Sequence, residues 1–141
     1  MTDAAASARP QTAKGPSFRF AFVKFVVGDL EAMASFYQRI FGFEVAQTIE
    51  LADATELVLR RPGDDNGFSL ILYGPHDRRP VAVGDAHGPL GLYVRDVDAA
   101  YAYAVDAGAK AHRPPFDTGP MRAAFVLDPE GRELELLSIR R

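Results

Sequence analysis

The chain contains no cysteine, which excludes disulfides, thiolate metal sites and a cysteine nucleophile. None of its apolar runs approaches the roughly 20 residues that a helix needs to cross a bilayer. It has no basic excess either. Its 16 Lys and Arg stand against 19 Asp and Glu, a formal net charge of -3, which speaks against nucleic acid or an anionic membrane as a partner. The first 17 residues, MTDAAASARPQTAKGPS, are rich in Ala, Ser, Thr and Pro and lack the apolar centre of a signal peptide, so residues 1–17 are predicted to be a disordered N-terminal arm. Cytoplasmic is the default location. There is no phosphate-cradling glycine loop and no strand-to-helix nucleophile turn. The acidic PGDDN stretch lacks the spaced ligands and terminal Glu of a calcium loop.

What is present is an ordinary globular composition, 48% hydrophobic and 25% charged, with enough chain for one domain over residues 18–141. Within it the chain repeats itself. FAFVKFVVGDLEAMASFYQRIFGFEV and GPLGLYVRDVDAAYAYAVDAGAKA each read as an alternating strand, an Asp, an amphipathic helix and a Gly stop. Asp29 and Asp96 stand 67 positions apart, and Gly42 and Gly108 stand 66 apart. Each Asp is a good helix N-cap, with Glu31 or Asp98 complementing the helix dipole in the first turn. Leu30, Met33, Ala34, Tyr37 and Phe41 recur at helical spacing, as do Val97, Ala100, Tyr101 and Ala104. Three strand-like segments follow each helix, so each half is βαβββ, over about 18–75 and 87–139. The stretch GPHDRRPVAVGDAHG is the natural linker. Asp128 to Gly131 suit a type I turn that opens the closing hairpin.

One βαβββ half cannot cover its own sheet. The expected fold class is therefore α+β, with two halves forming an incomplete, curved β-barrel and the helices outside. Alternation assigns the faces. Val23, Phe25, Leu70, Leu72, Leu134 and Leu136 fall under the helices. Their complements line the concave side: Phe20, Phe22 and Lys24 on the first strand, Glu56 and Arg60 on the third, and Ile71 and Tyr73 on the fourth. Tyr93 on the fifth strand, Phe125 on the seventh and Glu135 on the eighth complete this set of ligand-binding candidates. Matching LIL with LEL sets Ile71 opposite Glu135, an offset of 64. Glu135 either serves a ligand or forms an internal ion pair with Lys24, because a buried charge needs a partner. Tyr73 and Tyr93 either stack on a flat ligand or fill the barrel. Phe36, Tyr37, Tyr101 and Tyr103 are expected in the helix–sheet core or in dimer contacts.

Taken together, VVGDLEAMASFYQRIFGFEV, YVRDVDAAYAYAVDAGAK and DPEGRELELL resemble the vicinal oxygen chelate superfamily, of glyoxalase, bleomycin resistance protein and dioxygenase type, over about Phe18 to Ile139. In that family's metalloenzymes a divalent ion is held by His or Gln, Glu, His and Glu on the first, fourth, fifth and eighth strands. The first and third of these lie seven residues before the capping Asp, at Phe22 and Pro89 here; the others fall on Ile71 and Glu135. Only Glu135 carries a donor, and a catalytic ion usually needs about three side-chain ligands. The resemblance thus implies a protein with no metal and no cofactor that binds a small organic molecule in an aromatic-lined cavity. Antibiotic sequestration of the bleomycin-resistance type is one version, and a homodimer is expected. The alternative is a glyoxalase-like lyase or isomerase, either with a divergent metal site that draws on His87 or with Glu135 as catalytic general base. His76 and His112 are expected as exposed loop residues.

Overall fold

The computed structural model describes residues 15–64 and 67–140. Most of the arm expected at the N-terminus, and Asp65 and Asn66 of the acidic turn, lie outside the described residues. The first module runs β1 (Phe22–Val26), α1 (Leu30–Phe41), β2 (Glu44–Glu50), β3 (Ala54–Arg60) and β4 (Ser69–Pro75). The second runs β5 (Leu90–Tyr93), α2 (Val97–Asp106), β6 (Lys110–Thr118), β7 (Met121–Leu127) and β8 (Glu133–Ile139). Each module makes a four-stranded sheet, ordered β1-β4-β3-β2 and β5-β8-β7-β6. The β1–β4 and β5–β8 pairs are parallel and the others antiparallel. No barrel closes. The repeat holds in the register as well: Lys24 lies beside Ile71 in one sheet, and Gly91 beside Glu135 in the other.

Local chemistry sets the helix ends. The Asp29 carboxylate accepts from the Ala32 N–H at 3.0 Å, and Gly42 ends α1 in the left-handed conformation at φ 73°. Asp96 caps α2 in the same way through the Ala99 N–H at 3.0 Å. α1 packs on β4, and α2 packs on β6, β7 and β8. Leu70, Leu72, Leu134 and Leu136 are all buried under these helices, as the alternation demands. Each such side chain contributes about 1.5–3 kcal/mol by leaving water.

One core joins the modules, because Tyr37 and Ile40 of α1 cluster with Ala104, Val126 and Leu134 of the second half. A buried polar knot reinforces it. Asp128, fully buried on the β7–β8 turn, accepts from the Tyr37 hydroxyl at 2.8 Å and from Arg132 Nη1 at 3.1 Å. The Glu130 carboxylate accepts from the backbone N–H groups of Gly28 and Asp29, both at 3.0 Å. Arg132 donates to the Val26 carbonyl and to Glu130. The turn of the last hairpin therefore clamps the passage from β1 into α1. Gly28 permits the approach: a Cβ there would stand 3.0 Å from the Arg79 carbonyl and 3.3 Å from Glu130.

Two expectations are corrected. β1 begins at Phe22, so Phe20, 91% exposed, precedes the strand and does not line it. β6 continues through Pro114 and Pro115 to Thr118. It can do so because it is an edge strand whose register breaks on both sides of Arg113, where a missing N–H is tolerated. His112 consequently sits on a strand, 3.2 Å from Glu133, and not in a loop. Among the described residues no helix is long and apolar enough to cross a membrane.

Candidate functional site

Cross-strand registers define the concave face of the first sheet. Phe22, Lys24 and Val26 of β1 lie beside Ser69, Ile71 and Tyr73 of β4, and β3 adds Val58 and Glu56. The Lys24 ammonium pairs with Glu56, whose side chain is only 8% exposed. The same ammonium stands 5.6 Å from the ring centroids of both Phe22 and Tyr73, within cation–π range. Arg60 Nε donates to the Ser69 hydroxyl at 2.9 Å. The expected partner of Lys24 is thereby corrected. Lys24 is satisfied inside its own sheet by Glu56, one row along and two strands away across β4, and forms no pair with Glu135.

The second sheet carries a different surface. Gly91, Glu135, Phe125 and Arg113 form one continuous row across β5, β8, β7 and β6. Phe116 stacks on Phe125 with ring centroids 6.3 Å apart and planes 10° apart. The Arg113 guanidinium lies 3.7 Å over the Phe116 ring. Tyr93 pairs with Leu137 in the next row and is 77% exposed. Arg113 and Phe116 were not expected in this face. Pro114 and Pro115 weaken the strand signal there, and the register breaks around Arg113 hide the parity that would place them.

Two of the cavities touch these faces only in part. The larger, about 700 Å³, is lined by Val23 to Val26 of β1, the start of β5, Arg132, His87 and the linker segment Arg79 to Val83. The other, about 530 Å³, lies among the helix-side residues Ile40, Leu59, Leu70, Ala104 and Leu136 and also takes in Arg60, Tyr93 and Tyr103. Of the expected ligand-binding residues, Lys24 lines the first and Arg60 and Tyr93 line the second. Phe22, Glu56, Ile71, Tyr73, Phe125 and Glu135 lie on the concave faces and line neither cavity. The linker's part in the larger cavity had no sequence signal, because Gly and Pro mark a turn without assigning it a face.

The donor set does not fit a divalent ion. Phe22, Ile71 and Pro89 offer no donor side chain at the positions where the resemblance calls for one. Among the described residues no three His, Cys, Asp or Glu side chains are grouped closely enough to hold an ion. His87 contacts the carbonyls of Gly88 at 3.1 Å and Val83 at 3.2 Å, within its own loop. His76 is 3.2 Å from the Thr55 hydroxyl and 3.8 Å from Glu50.

The fold resembles glyoxalase I from Zea mays at 22% identity with a TM-score of 0.78, covering 87% of this chain and 45% of the maize chain, so the chain spans about half the length of that relative. It also resembles the trypanothione-dependent glyoxalase I of Leishmania major, at 24% identity and TM-score 0.76, covering 86% of this chain and 87% of that one. A glyoxalase-related enzyme from Fulvimarina pelagi matches at 25% identity and TM-score 0.63, covering 84% of this chain and 86% of that one. The family model matches residues 19–136, and the chain belongs to the glyoxalase/bleomycin resistance protein/dioxygenase superfamily.

Proposed function

We propose that this chain binds a small organic molecule on its concave faces without a resident divalent metal, and that it does so as a homodimer. The observation that carries the reading is a combination on one side of the sheets: exposed aromatic rings, Phe22 at 52% and Tyr93 at 77%, beside the charges of Lys24, Glu56, Arg113 and Glu135. Aromatic faces and a few fixed charges are what a small-molecule site needs, because the rings supply contact area and the charges set orientation. Sequestration, as in bleomycin resistance proteins, is the form of this function that requires only binding. The homodimer is supported by β1 and β5. Each is the edge of its sheet, and both leave backbone donors and acceptors and partly exposed side chains to be covered.

A second reading, a metal-free isomerase with Glu135 as general base, has one observation in its favour. Glu135 is partly buried, and among the described residues it has no hydrogen-bond or ion-pair partner. A base needs that availability. The test of the main reading is a thermal-shift screen of aromatic acids, amines and antibiotics, performed after chelation and repeated with zinc, nickel or manganese. Stabilisation by an organic ligand in the chelated protein supports the reading. Stabilisation only when metal is added contradicts it.

A further inference from the structure

The row across the second sheet has a chemical polarity. Arg113 stands at one end, Glu135 lies two strands away, and Phe125 sits between them. At about 4.8 Å per strand the two backbones are roughly 10 Å apart. Among the described residues neither charge has a hydrogen-bond or ion-pair partner, and the Arg113 contact is with the Phe116 ring. In the first sheet the corresponding row is Gln47, Val58, Ile71 and Lys24, and its one charge is neutralised by Glu56. The second row therefore holds two opposite charges that do not satisfy each other, on either side of Phe125, whose ring is stacked with Phe116.

Beyond Glu135 the row ends at Gly91, where a Cβ would meet only the Leu137 side chain at 3.8 Å. The backbone there would accept a side chain, and glycine leaves the space beside the carboxylate free. An aromatic floor selects a flat body through stacking. A guanidinium stacked on a ring keeps its N–H edge for an oxyanion, which it can bind in bidentate fashion. A carboxylate accepts from an ammonium.

We propose that this row recognises a planar, amphoteric molecule, with an oxyanion at Arg113, an aromatic body against Phe125, and an amine at Glu135. This rests on the small-molecule reading above and narrows the ligand class. The test uses 4-(aminomethyl)benzoate and its longer biphenyl analogue against benzylamine and benzoate, measured by calorimetry on the chelated full chain. One amphoteric probe should bind at least about tenfold more tightly than either single-charge compound, as expected when a second charge-assisted hydrogen bond is added. Arg113→Gln should reduce that probe to the affinity of benzylamine, and Glu135→Gln to that of benzoate, with the circular dichroism spectrum unchanged. Equal binding of all probes, or a preference that survives both substitutions, overturns the polarity of the row while leaving small-molecule binding intact. If none of the four compounds binds while other aromatic molecules do, the amphoteric class is wrong; if no aromatic compound binds at all, both readings fall.

Discussion

The Tyr37 hydroxyl donates a 2.8 Å hydrogen bond to the Asp128 carboxylate, joining the first helix to the last hairpin across 91 positions of chain. Both groups are buried, so the bond ties the two modules where water cannot replace it. Tyr37→Phe should destabilise the protein by about 1–2 kcal/mol, the cost of leaving a charged acceptor short of one donor. Burial, and then the adjacent Asp128 charge, hold the Tyr37 phenol far above its ordinary value of 10.0. A group whose folded value is raised lends stability that is complete below its unfolded value and fades as pH rises above it. The melting temperature of the parent should therefore fall more steeply as pH rises above 10 than that of Tyr37→Phe. Parallel slopes would contradict this.

The acid side has a surface counterpart. Arg122 donates to both oxygens of Asp98 at 2.8 Å, and this hydrogen bonding holds the carboxyl below its ordinary 3.8. The sign is opposite to that of Tyr37. This contribution is present above 3.8 and is lost as pH falls through the lower folded value. Arg122→Gln should raise the Asp98 titration midpoint in a carboxyl NMR titration while changing overall stability little, because the pair is exposed. An unmoved midpoint would show that the fork is not formed in solution.

Lys24 and Glu56 should behave as a unit. Lys24→Met leaves a carboxylate of 8% exposure without its cation and should cost about 1–3 kcal/mol, discounted because the lysine itself is more than one-third exposed. Lys24→Met combined with Glu56→Leu should recover most of that loss in a denaturation cycle. Lys24→Met combined with Glu135→Leu should be additive, since those two side chains form no pair. Strong coupling between Lys24 and Glu135 would reverse this assignment.

Much of the architecture was legible because it rests on local signals: Asp29 and Asp96 as caps, Gly42 as a stop, and the alternation that buries Leu70, Leu72, Leu134 and Leu136. The repeat carried the register, including the alignment of Ile71 with Glu135. What was not legible depends on partners distant in sequence. Alternation places Lys24, Glu56 and Glu135 on concave faces but does not say which carboxylate the ammonium reaches. Asp128 reads as an ordinary turn residue until Tyr37 and Arg132 are brought to it by packing. Arg113 and Phe116 were hidden because prolines weaken a strand signal without forbidding an edge strand.

Light scattering with a concentration series should report a dimer. Val23, Val26 and Phe22 on the β1 edge, at 36%, 45% and 52% exposure, are where a second copy would gain apolar burial. Val26→Lys should shift the equilibrium toward monomer. A parent that remains monomeric at millimolar concentration would leave closure of the site to the single chain.

The central claim, a concave-face site that works without a metal, is tested most directly by NMR titration of the isotope-labelled, chelator-treated chain with the best organic ligand from the screen. The account predicts saturable shifts at Phe22, Lys24, Tyr73, Phe125 and Glu135 with no divalent ion present, and no further gain on adding one. Shifts confined to the Arg79 to Val83 linker, or binding that begins only when a divalent metal is supplied, would contradict it.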